Sequence, residues 1–168
     1  MVRASSEFQV FAKPFGSLCN LDCHYCYYLK KRDLYPKEES LRMTDSILEE
    51  YIVQHIAASP GPVIHFSWHG GEPVMLGLDF FRKIVALQHR HQPLNQHILN
   101  GIQTNGTLLD EDWCRFLATE GFSVGLSLDG PPEMHDRYRV TREQEPTHEK
   151  AMLGYRLLRE YRIPCDLL

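Results

Sequence analysis

Predicted strands and helices alternate four times along this chain of 168 residues. Short apolar runs followed by glycine-bearing loops predict the strands, and apolar residues at helical spacing predict a helix after each strand. The strands are predicted at residues 8–12, 63–68, 98–104 and 122–128, with a fifth beginning at 163–168, and the helices at 44–58, 79–91, 110–120 and 147–161. This alternation is typical of an α/β fold with a parallel sheet and helical crossovers, either a doubly wound sheet or a barrel.

Several local features of these elements can also be predicted. Thr44 is the expected N-cap of the first helix. Its expected buried face consists of Ile47, Tyr51, Ile52, His55 and Ile56. A polar connection is expected at 37–42, a long loop between the fourth strand and the fourth helix, and Gly121 at the end of the third helix.

Each of the first four strands is followed by a loop that contains glycine. These glycines are Gly16, Gly70 with Gly71, Gly106 and Gly130. In both parallel architectures, ligands bind at the carboxyl ends of the strands. We therefore expect the four loops to converge on one ligand-binding face.

The composition excludes several classes of protein. The net charge of −4 leaves no basic footprint for nucleic acid, and 43% hydrophobic residues suffice for one buried core. No apolar stretch approaches the ~20 residues of a membrane span, and the N-terminus does not resemble a secretory signal peptide. Five cysteines, three of them clustered, predict a reducing compartment and hence a cytoplasmic protein. Cys114 and Cys165 stand alone and are expected to be small buried hydrophobic residues.

The most specific chemical motif is a C-x3-C-x2-C cluster formed by Cys19, Cys23 and Cys26. Three thiolates can hold three irons of a [4Fe–4S] cube and leave one iron open to a small molecule, whereas electron-relay proteins usually close the cube with four cysteines. A disulfide would leave an odd cysteine, and a structural zinc site needs a fourth ligand. His24 lies between Cys23 and Cys26 in the chain, and adjacent residues rarely reach one metal together. The spacing therefore favours a catalytic cluster.

Polar residues follow two other predicted strands. After the second strand, Gly70 and Gly71 allow a ligand to approach the backbone closely, and Glu72 can accept a hydrogen bond from an ammonium or hydroxyl group; a tight turn is the alternative. Ser127 and Asp129 follow the fourth strand, where a cap and a turn are the alternative. The position of these residues at strand ends favours ligand binding.

Other residues in the loops are less informative. Asp136 and Arg139 predict either a surface ion pair or an arginine directed at a ligand carboxylate. Gln103 and Asn105 belong to a segment that predicts a turn, and the sequence gives them no role. Tyr25, beside a cluster cysteine, could stack on a nucleoside bound at the open iron.

Together these motifs resemble the radical S-adenosylmethionine (SAM) superfamily, and within it the anaerobic sulfatase-maturating enzymes. The resemblance covers nearly the whole chain from about residue 11. It is carried by residues 13–14, the cysteine motif in 19–29, and residues 68–73, 103–108 and 127–131, with Asp136 and Arg139.

The resemblance implies a fold and a set of site residues. The fold is the partial (β/α)6 barrel of radical SAM enzymes, incomplete after the start of strand five, so that residues 1–168 form a partial core domain without the C-terminal auxiliary-cluster domain. The cluster ligands are Cys19, Cys23 and Cys26. The residues expected to bind SAM are Tyr25, Gly70, Gly71, Glu72, Ser127 and Arg139, and those expected to contact substrate are Tyr28 and His69.

The implied reaction is oxidation of a Cys or Ser in a sulfatase polypeptide to Cα-formylglycine through a 5′-deoxyadenosyl radical. The implied partners are the sulfatase polypeptide and an electron donor such as flavodoxin or ferredoxin, and auxiliary [4Fe–4S] clusters and the general base are expected only in a full-length protein. Two alternatives remain: a related enzyme that forms thioether or carbon–carbon crosslinks in peptides, and a non-catalytic, metal-stabilised binding module.

Overall fold

A computed structural model describes residues 3–36 and 40–168 of the chain. Its centre is a parallel sheet of five strands. The strands are β1 (Phe11–Ala12), β2 (Val63–Trp68), β3 (His97–Thr104), β4 (Ser123–Leu126) and β5 (Cys165–Leu167). The helices are α1 (Asp45–Ala58), α2 (Leu78–His91), α3 (Glu111–Thr119), α4 (Pro132–Tyr138) and α5 (His148–Glu160), with short 3-10 helices at Leu29–Leu34 and Pro73–Leu76.

The strand order distinguishes between the two predicted architectures. In a doubly wound sheet the order reverses at a switch point, whereas here each strand pairs in parallel with the next one along the chain. The sheet is therefore the predicted partial barrel, with β1 and β5 at its two edges.

The register of the strands brings their carboxyl ends together. Ala12 pairs with Trp68, Trp68 pairs with Ile102, and Thr104 pairs with Leu126. The loops that follow β1 to β4 therefore emerge side by side at one edge of the sheet, as the sequence predicts.

The core lies between the sheet and the helices that cover its outer face. Alternate residues of β2, namely Ile64, Phe66 and Trp68, are buried, as the period of a strand requires. Trp68 Nε1 donates to Asn100 Oδ1 at 2.9 Å, which satisfies a polar group inside the core. Cys114 is fully buried, as predicted, whereas Cys165, at the start of the edge strand β5, is only partly buried and corrects the prediction.

Helix α1 confirms the predicted cap and corrects the predicted buried face. The backbone N–H of Ile47 donates to Thr44 Oγ1 at 3.3 Å. However, the side chain of Ile47 is 56% exposed, while Leu48 is fully buried. The buried stripe continues from Leu48 through Ile52 and Ile56 at helical spacing, and Ile47 lies outside it.

The predicted long loop after β4 contains a further helix, α4. Pro131 and Pro132 predict a turn in the sequence, but Pro132 occupies the first turn of α4, where a missing N–H has no cost. Strand β1 is shorter than predicted, because only Phe11 and Ala12 pair with β2.

The end of α3 follows the prediction for Gly121. Gly121 has a φ of +66°, and the N–H of Phe122 donates to the carbonyl of Leu117 at 2.9 Å, which closes the helix. Of the polar connection predicted at 37–42, residues 37–39 lie outside the described residues. None of the helices in the described ranges is long and apolar enough to cross a membrane.

Candidate cofactor site

The three clustered cysteines lie in the loop after β1 and line a single cavity of about 250 Å³ at the carboxyl ends of the strands. Leu21, inside the motif, forms an antiparallel bridge with Thr141, which ties this loop to the segment after α4. The fold therefore presents all three thiols to the same space.

The donor set of this loop fits a [4Fe–4S] cluster. All five cysteines are free, and three of them line one cavity. Three thiolates can bind three separate irons of a cube and leave the fourth iron open. His24, the alternative fourth ligand, contacts Gln144 Oε1 from its Nε2 at 3.1 Å. Within residues 3–36 and 40–168, no group of three His, Cys, Asp or Glu side chains is arranged to hold one metal ion.

Burial disfavours the thiolate forms of Cys19 and Cys23 in the metal-free protein. Burial raises the pKa of Cys19 to about 11. Burial also raises the pKa of Cys23, although the nearby Arg139 cation acts in the opposite direction. Because metals bind the thiolate, ionisation of these buried groups is coupled to metal binding.

The double glycine after β2 allows the backbone to lie directly on the cysteine loop. The N–H of Gly71 donates to the carbonyl of Gly16 at 2.8 Å, and the N–H of Glu72 donates to the carbonyl of Leu18 at 2.7 Å. A Cβ added to Gly71 would lie 1.8 Å from the carbonyl oxygen of Leu18. Since the Gly71 N–H is already used, its carbonyl is the group that could accept a hydrogen bond from a ligand amine.

The side chain of Glu72 joins the loops after β2 and β3. It is 1% exposed and accepts hydrogen bonds from Val74 N, Thr104 Oγ1 and Asn105 N. Burial raises the pKa of this carboxyl to about 7, although the hydrogen bonds from these three donors lower it. The carboxylate lines the cavity, but its hydrogen bonds go to the protein.

A hydrogen-bonded group of Tyr25, Asp129 and Arg139 forms another wall of the cavity. Arg139 Nη2 lies 2.9 Å from Asp129 Oδ1, and the hydroxyl of Tyr25 donates to Asp129 Oδ2 at 2.6 Å. Burial favours a higher pKa for Asp129, but the hydrogen bonds from Arg139 and Tyr25 outweigh it and lower that pKa. This group fixes the cysteine loop to the loop after β4.

Arg139 also has a donor that is not used by the protein. Its Nε is buried and has no partner among the described residues. A buried, unpaired N–H on a guanidinium suits a ligand carboxylate. Arg139 pairs with Asp129 rather than with Asp136, whose Oδ1 accepts from the N–H groups of Thr147 and His148 at the start of α5. The interpretation as a surface ion pair is therefore wrong.

Ser127 lies on the same side of the cavity as Gln103. Gln103 Nε2 donates to Ser127 Oγ at 3.1 Å. A Cβ on Gly125 would lie 2.1 Å from Gln103 Oε1, so the glycine makes room for this amide over β4. Ser127 and Gln103 together supply a hydroxyl and an amide to a polar ligand.

Tyr28, His69 and Lys13 also line the cavity. The Nζ of Lys13 lies 4.0 Å from the ring centroid of Tyr28. Burial, together with the charge of Lys13, lowers the pKa of His69 and favours a neutral imidazole at pH 7. This part of the cavity is aromatic and carries one cation.

The structure brings every predicted site residue to one cavity. They are Cys19, Cys23, Cys26, Tyr25, Tyr28, His69, Gly70, Gly71, Glu72, Ser127 and Arg139. The sequence analysis missed Lys13, Gln103 and Asn105, which also line it. Their position just after β1 or at the end of β3 was the available signal, since the other site residues occupy equivalent positions.

The chain is similar in sequence to a known family and to several characterised proteins. Residues 14–168 match the family model of the Radical SAM superfamily. The chain is 42% identical over 159 residues to a serine-type anaerobic sulfatase-maturating enzyme of Bacteroides thetaiotaomicron, covering 95% of this chain and 38% of that protein. It is 37% identical to a cysteine-type anaerobic sulfatase-maturating enzyme of Clostridium perfringens, covering 93% of this chain and 42% of that protein. The chain thus spans about two fifths of the length of these curated relatives.

A solved structure shares the fold. It is described as native anSMEcpe with bound AdoMet and Cp18Cys peptide, and it superposes with a TM-score of 0.82 at 36% identity. The match covers 92% of this chain and 40% of that chain.

Proposed function

Because this chain belongs to the radical SAM superfamily, we propose that it takes part in the oxidation of a Cys or Ser of a sulfatase polypeptide to Cα-formylglycine. One observation supports this most. Three free cysteines and Arg139, whose buried Nε has no partner among the described residues, line the same cavity. The similarity to both serine-type and cysteine-type maturating enzymes supports the substrate class.

In this proposal, Cys19, Cys23 and Cys26 hold a [4Fe–4S] cluster. When bound, the cluster would supply the electron that cleaves SAM to methionine and a 5′-deoxyadenosyl radical. The cysteine loop provides the ligands, and the backbone contacts of Gly71 and Glu72 with that loop keep it in place.

The other polar groups would orient SAM. Arg139 Nε and Ser127 Oγ are suited to its carboxylate, and the carbonyl of Gly71 to its amine. Tyr25 is 51% exposed, with its hydroxyl fixed by Asp129, so the ring can lie against the adenosyl group. Glu72 would act through the protein, by holding the loop after β3.

Tyr28 and His69 would contact the polypeptide substrate, since they line the same cavity and are not part of the hydrogen-bonded group of Tyr25, Asp129 and Arg139. Cleavage of SAM would consume one electron, so the proposal includes an external electron donor such as flavodoxin or ferredoxin. The substrate Cβ would lose one hydrogen atom to the 5′-deoxyadenosyl radical, which becomes 5′-deoxyadenosine, and then one electron to a one-electron acceptor and one proton to a base. A Ser target gives the aldehyde directly, whereas the thioaldehyde from a Cys target exchanges its sulfur for water and releases hydrogen sulfide. The proposal also includes a cytoplasmic location in which the cysteines stay reduced. We also propose that residues 1–168 are part of a radical SAM core domain.

Anaerobic turnover tests this function. The full-length protein is reconstituted with iron and sulfide, then mixed with SAM, a reductant and peptides that carry a sulfatase modification site with Cys or Ser at the target position. We expect 5′-deoxyadenosine and a peptide carrying the formylglycine aldehyde, detected by mass spectrometry. The matched variant Cys23→Ala should yield neither product. A crosslinked peptide, or an unmodified peptide despite 5′-deoxyadenosine release, would overturn the substrate assignment.

A further inference from the structure

Three polar side chains form a closed ring of hydrogen bonds beside the cysteine motif. Asn105 Nδ2 donates to Asn20 Oδ1 at 2.9 Å, and Asn20 Nδ2 donates to Thr107 Oγ1 at 2.9 Å. The hydroxyl of Thr107 donates to Asn105 Oδ1 at 2.7 Å and completes the ring. Each side chain donates once and accepts once, so the ring joins the cysteine loop to the loop after β3.

The ring determines which way the Asn105 amide faces. Its Oδ1 accepts from both the hydroxyl and the backbone N–H of Thr107, the latter at 3.0 Å. The NH₂ group must therefore face Asn20 on one side and Cys19 on the other. Asn105 Nδ2 lies 3.8 Å from Cys19 Sγ and donates to it.

Two further contacts lie around this amide and the Cys19 sulfur. The backbone N–H of Asn105 donates to the buried carboxylate of Glu72 at 2.8 Å. Asn105 itself is only 8% exposed, so its dipole is weakly screened by water. A second donor, the N–H of Leu21, lies 3.4 Å from the same sulfur. Cys19 Sγ thus has a polar environment that is built from the protein.

We propose that Asn105 is a positioning residue for the cluster, which donates a hydrogen bond to the sulfur of Cys19 and raises the reduction potential of the bound cluster. The proposal rests on the proposed function, because it requires that Cys19 is a cluster ligand. Reduction adds negative charge to the cluster and its sulfurs, and an N–H directed at a ligand sulfur stabilises that charge. Asn105 would therefore make the cluster easier to reduce by acting through Cys19.

The test is a redox titration, monitored by EPR, of the reconstituted protein in the absence of SAM. Asn105→Leu keeps the approximate size of the side chain and removes both N–H donors. We expect the iron content to equal that of the wild type. The equilibrium constant for one-electron reduction should fall by about tenfold, which corresponds to a reduction potential lower by ~59 mV. An unchanged potential in a variant that retains its iron would overturn the proposal.

Variants of Thr107 provide a control and a second test of the proposal. Thr107→Ser keeps the hydroxyl and the ring, so its potential should equal that of the wild type. Thr107→Val opens the ring and leaves only the backbone N–H of residue 107 on Asn105 Oδ1. Its potential should therefore fall, by less than that of Asn105→Leu, and it can be measured even if Asn105→Leu fails to bind iron. Equal potentials in Thr107→Val and Thr107→Ser would contradict the role of the ring. A wild-type protein that forms no cluster would instead disprove the proposed function itself.

Discussion

Arg139 is the residue on which cofactor binding depends most in this account. It is held by Asp129 at 2.9 Å and leaves its buried Nε without a partner in the described part of the chain. Replacing it with Gln removes a charge-assisted donor from a site that is shielded from water. We expect Arg139→Gln to weaken SAM binding by about tenfold or more, with the iron content unchanged.

Equilibrium dialysis of reconstituted protein against SAM measures this effect. Arg137→Gln is the matched control, because Arg137 is exposed and its guanidinium lies against Tyr138 rather than in the cavity. Equal affinities in the two variants would remove Arg139 from the SAM site.

Glu72 gives the folded protein a specific pH dependence. Burial raises its pKa to about 7, well above the ~4.3 of an unfolded glutamate. The folded state thus binds this proton more tightly, so the resulting stability is fully present below about pH 4.3 and is lost as the pH rises through about 7. We expect the free energy of unfolding of the wild type to fall relative to Glu72→Gln across that window, by at most ~1.4 kcal/mol per pH unit.

Urea denaturation of the metal-free wild type and of Glu72→Gln, at several pH values within that window, measures this difference. The comparison cancels the titration of groups that the two proteins share. Parallel curves for the two proteins would show that the carboxyl of Glu72 titrates in the folded state as it does when unfolded.

At the scale of elements, the close contact between the loop after β2 and the cysteine loop is the feature most sensitive to substitution. A Cβ at residue 71 would lie 1.8 Å from the Leu18 carbonyl oxygen, and backbone cannot give way as a flexible side chain can. We expect Gly71→Ala to lower stability by about 1–3 kcal/mol or more and to lose most of the bound iron. Thermal unfolding and iron analysis measure both effects.

Gly61→Ala is the control for that substitution. Its added Cβ would lie 3.3 Å from the end of the Glu7 side chain, which can move. This variant should keep its iron and most of its stability. Normal iron content in Gly71→Ala would show that the two loops do not depend on this contact.

The elements also show what could be predicted from the sequence. Helix α2 and strand β2 follow their periodicity closely, since each has a strong apolar pattern between clear stops. Helix α4 was missed because the two prolines at its start, Pro131 and Pro132, are equally consistent with a turn. The pairing of Arg139 with Asp129 joins residues on separate elements, so spacing in the sequence could not reveal it.

At the scale of the whole molecule, the cavity results from the chain-order arrangement of the strands. Because neighbouring strands are parallel, four loops that are far apart in the sequence meet at one edge of the sheet. The sequence predicted this meeting place and most of the residues that line it. It did not predict that Asn105 faces a cysteine, because that depends on how the loops after β1 and β3 approach each other.

The central claim is that three cysteines hold a cluster with an iron open to SAM. EPR of the anaerobically reconstituted and reduced protein, recorded with and without SAM, tests it most directly. The account predicts a [4Fe–4S]⁺ signal that changes shape when SAM is added. A signal that is indifferent to SAM, or an EPR-silent protein that contains zinc, would contradict it.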